Sequence, residues 1–272
     1  MAISEIKGIP EGSSLVNFSF KIINQPSRPL FIVMFQQVIH QYKEDHQLST
    51  FKPKAVLFDM DGVLYDSMKN HTYAWQEAMK KFGLDVPAEM TYQYEGMRGV
   101  ETIQILMREQ RNEMIDEDEA LRMYNEKARV FETLPTAPIM PGVLKLMHKI
   151  KDAGLQIVVV TGSAQKPLIE RLLTDFNGFI VREKIVSAYD VTRGKPAPDP
   201  YLKGLLKAGG LQPHEAMVVE NAPLGVSAGV AAGILTIAVN SGPLPNEALS
   251  SRGAAVVYDN MEQLANDWHV CW

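Results

Sequence analysis

Short apolar runs alternate with amphipathic stretches over most of the chain after Pro53. Such runs, when bounded by turn residues, are typical of buried parallel strands, and the stretches between them carry helical spacing. The predicted strands cover residues 55–58, 156–160, 184–187, 216–219, 235–239 and 254–258, and helices are predicted at about 141–153, 166–173, 200–208 and 224–232. This alternation predicts an α/β fold with a doubly wound parallel sheet.

A long helical segment interrupts the alternation after the first strand. Helix-like apolar spacing begins with Tyr73, Trp75, Ala78, Met79 and Phe82, and further helices are predicted from Pro87, at 100–109 and at 116–131. A segment of this length far exceeds an ordinary connection between two core strands. We therefore predict an α/β core formed by residues 51–66 and 137–272, with residues 67–136 inserted as a small helical domain.

Residues 1–50 differ from the rest of the chain, because glycine and proline are frequent and a helix-like pattern is confined to about 30–42. We expect a poorly ordered extension, and Met34 offers an alternative start. The functional alternative is a docking arm for a partner. Removal of residues 1–48 is expected to leave folding and activity intact.

Composition narrows the class of protein. The 272 residues are 46% hydrophobic and 22% charged, which is ordinary for a globular protein. The net charge of −5 argues against a nucleic-acid or anionic membrane partner, and no apolar run approaches the roughly 20 residues that cross a bilayer. The single cysteine, Cys271, excludes a disulfide framework within one chain, so a cytoplasmic location is expected.

The candidate chemistry begins with Asp59 and Asp61, which follow the first predicted strand and precede Gly62. In an extended segment these two carboxylates point to the same side, at the strand end where α/β proteins bind ligands. Like charges this close require a cation or a shared proton, and Mg²⁺ is the natural cation for carboxylate oxygens. With 32 acidic residues in the chain, however, such a pair also occurs by chance.

A second candidate follows the strand at 156–160. Thr161 offers a hydroxyl, and Gly162 and Ser163 offer backbone N–H groups near a helix start. These groups are suited to cradle phosphate oxygens. The alternative is an ordinary helix cap.

Later strand ends and loops supply a cation and further oxygen ligands. Lys195, in a proline-rich loop, is suited to neutralise phosphate charge, although an isolated lysine is usually solvated. Glu220 and Asn221 end the strand at 216–219 and offer oxygens to a hard metal, or they cap the next helix.

In this order along the chain, the residues resemble the four motifs of the haloacid dehalogenase superfamily. The stretches DMDGVLYDS at 59–67 and GKPAPDPY at 194–201 carry the resemblance, which covers about residues 52–268. The inserted helical domain resembles the cap of the β-phosphoglucomutase-like branch.

The resemblance implies a role for each motif. Asp59 would be the nucleophile that forms an aspartyl phosphate, and Asp61 the general acid and base. Mg²⁺ would be held by Asp59, the backbone carbonyl of Asp61 and Asn221, with Glu220 binding it directly or through water. Many members carry aspartate where this chain has Asn221, so the site has one negative charge fewer.

The resemblance also assigns the phosphoryl-binding groups. Thr161 and Lys195 would bind the phosphoryl group during transfer, beside the backbone of Gly162 and Ser163. Catalysis would then rest on positioning and charge neutralisation.

The cap loop YEGMRG at 94–99 departs from the mutase pattern. Glu95 stands where the mutase has a basic residue, and Arg98 is one place from the expected arginine. The pattern resembles an inorganic pyrophosphatase of the same branch, in which Glu95 would complete the Mg²⁺ shell and Lys127 and His71 would contact the leaving phosphate. Alternatively, Glu95 is a solvated carboxylate at a helix end.

These residues lead to a hypothesis of function. We expect a monomeric Mg²⁺-dependent phosphohydrolase that acts through an aspartyl phosphate on a small phosphorylated substrate, with pyrophosphate the sharpest candidate. The alternatives are a hexose-phosphate mutase of the β-phosphoglucomutase kind and, in a third class, a phosphate-binding module without catalysis.

Overall fold

The computed structural model describes residues 28–268, without the side chains of residues 28–34. Six parallel strands form one sheet in the order β3-β2-β1-β4-β5-β6. The strands are β1 (Ala55–Phe58), β2 (Gln156–Val160), β3 (Ile185–Val186), β4 (Ala216–Glu220), β5 (Leu235–Val239) and β6 (Val256–Tyr258). The predicted α/β fold with a doubly wound parallel sheet is confirmed.

Eleven α-helices occur among the described residues. They are α1 (Arg28–Asp45), α2 (Met68–Lys80), α3 (Ala88–Gln93), α4 (Gly99–Arg111), α5 (Glu117–Glu132), α6 (Val143–Asp152), α7 (Lys166–Asp175), α8 (Asp199–Lys207), α9 (Pro223–Ala231), α10 (Glu247–Ser250) and α11 (Met261–Asp267). Within that part of the chain, no helix is both long and apolar enough to cross a membrane.

The sheet is covered on both faces, which is why β1 is buried at all four positions. One face packs against α1, α6, α7 and α11, and the other face packs against α8 and α9. Alternate residues of β1 accordingly enter the two cores, with Val56 and Phe58 in the first and Leu57 in the second. The sheet is a rigid base for the loops at its carboxyl edge.

Helices α2 to α5 form the inserted segment, and they have an apolar core of their own that includes Trp75, Met79 and Ile103. The spacing of this core matches the helical pattern of the sequence. Two residues of the predicted apolar spacing are solvent-exposed instead, since Tyr73 on α2 is 50% exposed and Phe82, just after this helix, is 38% exposed. We call α2 to α5 the cap.

Helix α1 departs from the expectation of a poorly ordered extension. Ile39 and Tyr42 are buried in the main core, and the Tyr42 hydroxyl donates to the Gly233 carbonyl oxygen at 2.7 Å. Removal of residues 1–48 would therefore uncover apolar surface of the core, contrary to the expectation from sequence. The expectation for residues 1–27 lies outside the described residues.

Candidate active site

Asp59 lies at the centre of the carboxyl edge of the sheet. The register pairs Phe58 with Val159 on one side and with Val219 on the other, so the next residue, Asp59, falls between β2 and β4. Its backbone N–H donates to the Val219 carbonyl oxygen at 3.0 Å, and the residue is 2% exposed. The strand order therefore brings Asp59 beside Glu220, although the two residues are far apart in sequence.

Lys195 joins these two carboxylates. Its Nζ donates to Asp59 Oδ1, to Glu220 Oε1 at 2.6 Å and to the Val160 carbonyl oxygen at 3.1 Å. The side chain is 1% exposed, so the alternative of a solvated lysine does not describe it. We call Asp59, Lys195 and Glu220 the core cluster.

Both carboxylate oxygens of Glu220 are engaged. Oε1 also accepts from the Tyr201 hydroxyl at 2.7 Å, and Oε2 accepts from the backbone N–H groups of Asn221 at 2.9 Å and Ala222 at 3.2 Å. In this arrangement Glu220 holds Lys195 and the loop before α9 through hydrogen bonds to both of its oxygens. Its expected part in the metal shell, directly or through water, stays a prediction, because sequence does not reveal which donors surround a carboxylate.

Two buried oxygens at the site lack a hydrogen-bond partner, namely Asp59 Oδ2 and Asn221 Oδ1. Buried polar atoms without partners are rare, and hard oxygens are the ligands that Mg²⁺ prefers. Among the described residues, no group of three or more His, Cys, Asp and Glu side chains is arranged to hold a metal. The fit is instead to a mixed set that includes one carboxylate oxygen and one amide oxygen.

The electrostatics of Asp59 favour binding of a cation beside it. Burial raises the pKa of Asp59 to about 8, and the charges of Glu220 and Asp61 act in the same direction, while Lys195 opposes them. A cation at Oδ2 would favour the ionised form that a nucleophile requires. The residues present therefore fit a divalent cation at this position.

Asp61 faces the cap and is 4% exposed. Its Oδ1 accepts from Ser67 Oγ at 2.6 Å and lies 3.0 Å from His71 Nε2, while Lys127 Nζ lies 2.8 Å from His71 Nδ1. His71 comes from α2 and Lys127 from α5, so two cap helices converge on one core carboxylate. We call Asp61, His71 and Lys127 the cap cluster.

The pKa shifts in the cap cluster indicate the direction of its hydrogen bonds. Burial lowers the pKa of His71, and the Lys127 charge adds to this effect. Burial also lowers the pKa of Lys127 to about 8, against the attraction of Glu95 and Asp61. Although burial opposes ionisation of Asp61, His71 and Ser67 lower its pKa. A neutral His71 that accepts from Lys127 and donates to Asp61 satisfies all three groups.

A small cavity of about 40 Å³ separates the cap from Asp61. Its walls include Asp61, His71, Glu95, Lys127, Gly162 and Ser163, together with apolar and aromatic cap residues. One water requires about 10–15 Å³ on this measure, so the cavity holds only a small group in this conformation. Glu95 lies on this wall together with Asp61, and burial and the charges of Asp61 and Asp59 raise the pKa of Glu95.

The loop after β2 forms the floor of this cavity. Thr161 Oγ1 accepts from the Ser163 N–H at 3.0 Å, and Ser163 Oγ accepts from the Gln165 N–H at 3.1 Å. The loop precedes α7, whose N-cap is Gln165, so the alternative of Thr161 as an ordinary helix cap does not describe it. Gly162 and Ser163 reach the cavity, as expected for a phosphate cradle.

Arg98 is the predicted site residue that the structure places elsewhere. Its guanidinium donates to the Thr192 carbonyl oxygen at 2.9 Å and to Glu117 Oε1 at 3.0 Å, and it is absent from the cavity wall. The physical reason is that Arg98 precedes α4 as its N-cap residue, which turns its side chain toward α5 and the loop that carries Lys195. The Arg98 side chain is therefore directed to Thr192 and Glu117, and its expected contact with substrate stays a prediction.

Two residues of the site were not found from sequence. Ser67 contacts Asp61, and Tyr201 contacts Glu220. Both lie in the quoted stretches, Ser67 as the last residue of DMDGVLYDS and Tyr201 as the last residue of GKPAPDPY. Their position in those stretches was the available signal, but their partners depend on the tertiary fold.

Strand-end carboxylates beneath an inserted helical cap place the chain in the class of capped α/β proteins. Residues 53–233 match the family model for haloacid dehalogenase-like hydrolases, and the chain belongs to this family. The resemblance recognised in the motifs is thereby confirmed.

Three relatives illustrate the range of activities around this chain. It is 34% identical to hexitol phosphatase A of Escherichia coli, over 69% of this chain and 83% of the relative. It is 30% identical to PpaX, a candidate pyrophosphatase of Caldanaerobacter subterraneus, over 78% of this chain and 93% of the relative. A candidate β-phosphoglucomutase of Bacteroides vulgatus superposes with a TM-score of 0.83 at 45% identity, covering 87% of this chain and 96% of the other. The chain is thus a phosphatase or phosphomutase of this family with sugar-phosphate relatives.

Proposed function

We propose that the protein is a Mg²⁺-dependent phosphohydrolase that acts through an aspartyl phosphate on Asp59 and prefers inorganic pyrophosphate. The observation that carries this proposal is the cap cluster, in which Lys127 and His71 stand behind Asp61 at the wall of a cavity of about 40 Å³. The site thus offers positive charge and proton donors to a small leaving group.

The residues divide the chemistry between them. An Asp59 oxygen attacks phosphorus, the bond from phosphorus to the leaving oxygen breaks, and Lys195 and Thr161 hold the phosphoryl oxygens. Asp61 gives a proton to the leaving oxygen and later takes one from the water that releases phosphate from Asp59. Asp59 Oδ2, Asn221 Oδ1 and the Asp61 carbonyl would hold Mg²⁺, which when bound supplies positive charge to the phosphoryl oxygens.

The lowered pKa of Asp61 supports pyrophosphate over an alcohol phosphate. A carboxyl group with a lowered pKa is poorly matched to protonate an alkoxide leaving group. A phosphate leaving group is a weaker base than an alkoxide and needs less protonation. Lys127, on the cavity wall, would stabilise the negative charge of that phosphate.

The walls of the cavity argue against a sugar bisphosphate. Lys127 is the only lysine or arginine among the residues that line it, and Arg98 donates to Thr192 and Glu117 instead. Glu95 would repel a second phosphate unless it takes part in binding the metal. We therefore propose that Glu95 completes the metal shell and excludes larger substrates.

A sugar-phosphate phosphatase or mutase is the second candidate. The hexitol phosphatase and the candidate mutase among the relatives favour it, and Tyr94 and Thr102 on the cavity wall offer hydroxyls to a sugar. This function requires the cap to open further than in the present conformation.

The test is a comparison of kcat/KM across pyrophosphate, hexitol phosphates and glucose 6-phosphate, with β-glucose 1-phosphate assayed for the mutase. We expect pyrophosphate to rank first and the Glu95→Ala variant to lose pyrophosphate turnover most. The exposed Glu89→Ala variant on α3 is the matched control. A higher kcat/KM for a hexitol phosphate, unaffected by Glu95→Ala, would establish the second candidate instead.

We also propose a monomer in a reducing, cytoplasmic environment. The single cysteine supports the environment, and the contribution of all catalytic groups by one chain supports the monomer. Light scattering of the purified enzyme checks the oligomeric state.

A further inference from the structure

The cap meets the core along a seam formed by the cap loop at 96–98 and the core loops that contain Gly162 and Gly194. Two core glycines make the approach possible. A Cβ on Gly162 would lie 2.7 Å from the Gly96 carbonyl oxygen, and a Cβ on Gly194 would lie 2.9 Å from the Arg98 backbone nitrogen. Neither distance is compatible with a side chain, so the cap loop rests directly on the core backbone.

Arg98 fastens this seam. Its Nη1 donates to the Thr192 carbonyl oxygen in the core at 2.9 Å. Its Nη2 donates to Glu117 Oε1 in the cap at 3.0 Å, and Glu101 Oε1 lies 3.7 Å from Nη1. The two cap carboxylates orient a planar guanidinium toward the core carbonyl, a geometry that the single ammonium of lysine does not reproduce.

The bond connects two loops that matter for the proposed function. Arg98 lies three residues after Glu95, and Thr192 lies three residues before Lys195. One hydrogen bond therefore joins the loop with the carboxylate that selects the substrate to the loop with the lysine of the core cluster. We therefore expect this hydrogen bond to set the fraction of molecules in which the two loops are in contact.

We propose that Arg98 is a positioning residue that latches the cap in its closed state, so that Glu95 and Lys127 reach the reacting phosphate. The inference rests on the proposed function for its substrate, but the latch itself concerns the cap and core alone. A ligand that binds only the closed state has an apparent affinity reduced by the fraction of closed molecules. Loss of the latch therefore raises KM more than it lowers kcat.

The test uses Arg98→Met, which keeps the aliphatic stem, Arg98→Lys, and Glu117→Gln, which leaves Arg98 in place but removes its anchoring charge. Arg122→Met on the exposed face of α5 is the control. With Mg²⁺ and pyrophosphate we expect KM to rise about tenfold in Arg98→Met, with a smaller rise in Glu117→Gln. Arg98→Lys should restore little, and Arg122→Met should match the wild type.

Amide hydrogen exchange of the substrate-free protein separates the latch from the choice of substrate. Exchange in residues 95–98 and 192–195 should be faster in Arg98→Met and unchanged in Arg122→Met. This result would support the latch even if pyrophosphate were not the substrate. Unchanged exchange, or a fall in kcat at wild-type KM, would overturn the proposal.

Discussion

The two clusters around the reacting centre use charge differently. The core cluster alternates two carboxylates with one lysine, and the Lys195 charge is held between both anions. The cap cluster has one carboxylate at the end of a chain through His71 to Lys127, and burial lowers the pKa of both nitrogen bases. The carboxylates of the core cluster thus raise the pKa of Lys195 and hold its charge, whereas burial in the cap cluster favours loss of the proton from both nitrogen bases.

The largest effect is expected for Asp59→Asn in the core cluster, which should lower turnover but leave stability nearly unchanged. Asp59→Asn removes the proposed nucleophile, so kcat should fall by about 10⁴-fold or more. Lys195 keeps Glu220 as its partner, and the midpoint of urea unfolding should change little. Phosphate release measured with and without EDTA checks the first expectation, since chelation should abolish wild-type turnover as well. Retained turnover in the variant would refute the role of Asp59.

The second prediction concerns the loss of one of the two carboxylates that hold the Lys195 charge. Glu220→Gln removes one of the two anions around Lys195 and sets an amide against two backbone N–H groups. Removing one partner of a buried ion pair is costly, and we expect the free energy of unfolding to fall by about 3 kcal/mol. Urea unfolding measures the change, with the exposed Glu113→Gln as the control. Equal stability of the two variants would mean that Glu220 is not structural.

The cap cluster should respond in the opposite way. Lys127→Met removes a buried charge whose proton is already held weakly, so stability at neutral pH should be kept or raised. Pyrophosphate kcat/KM should fall about 100-fold because the leaving phosphate loses its cation. Enzyme kinetics and urea unfolding on the same preparation measure the loss of kcat/KM and the change in stability. A loss of stability as large as in Glu220→Gln would contradict the proposed difference between the two clusters.

The pH dependence of Lys127→Met follows from the pKa of Lys127, which is about 8 in the folded protein and 10.5 ordinarily. Between these values the unfolded chain binds the proton and the folded protein does not, so wild-type stability rises with pH relative to the variant. Below about pH 8 both states hold the proton, and the relative slope vanishes. Unfolding curves of both proteins from pH 7 to 10.5 would show this difference.

The two carboxylates of the core cluster could be predicted from sequence because parallel register determines where they lie. Apolar runs locate the strands, and the first polar residue after each run must lie at one edge of the sheet. Asp59, Thr161 and Glu220 were identified in this way, and all lie where expected. Sequence does not show which carboxylate oxygens already accept hydrogen bonds. For Glu220, sequence therefore did not reveal that Lys195 is a hydrogen-bond partner.

The cap side was less predictable, because its contacts depend on how separate helices pack. Arg98 is the N-cap residue of α4, and its side chain points away from the cavity. The Ser67 hydroxyl donates to Asp61 and does not cap α2. Helix α1 shows the same limit, since Tyr42 bonds Gly233 across 191 positions in the chain. Periodicity indicates that a helix forms, but not which distant surface it covers.

The smallest expected effect tests whether the core cluster acts as a unit. Tyr201→Phe removes only the hydroxyl that donates to Glu220 Oε1, while Lys195 still donates to the same oxygen. We expect a loss of about 1 kcal/mol in the free energy of unfolding, the value of one hydrogen bond, with turnover near that of the wild type. Tyr189→Phe is the matched control. The Tyr189 side chain is exposed, and its hydroxyl donates to the Ala164 carbonyl oxygen. A loss as large as in Glu220→Gln would mean that Tyr201 and the three residues of the core cluster stabilise one another cooperatively, so that the Lys195 charge is held by the whole network and not by the ion pairs alone.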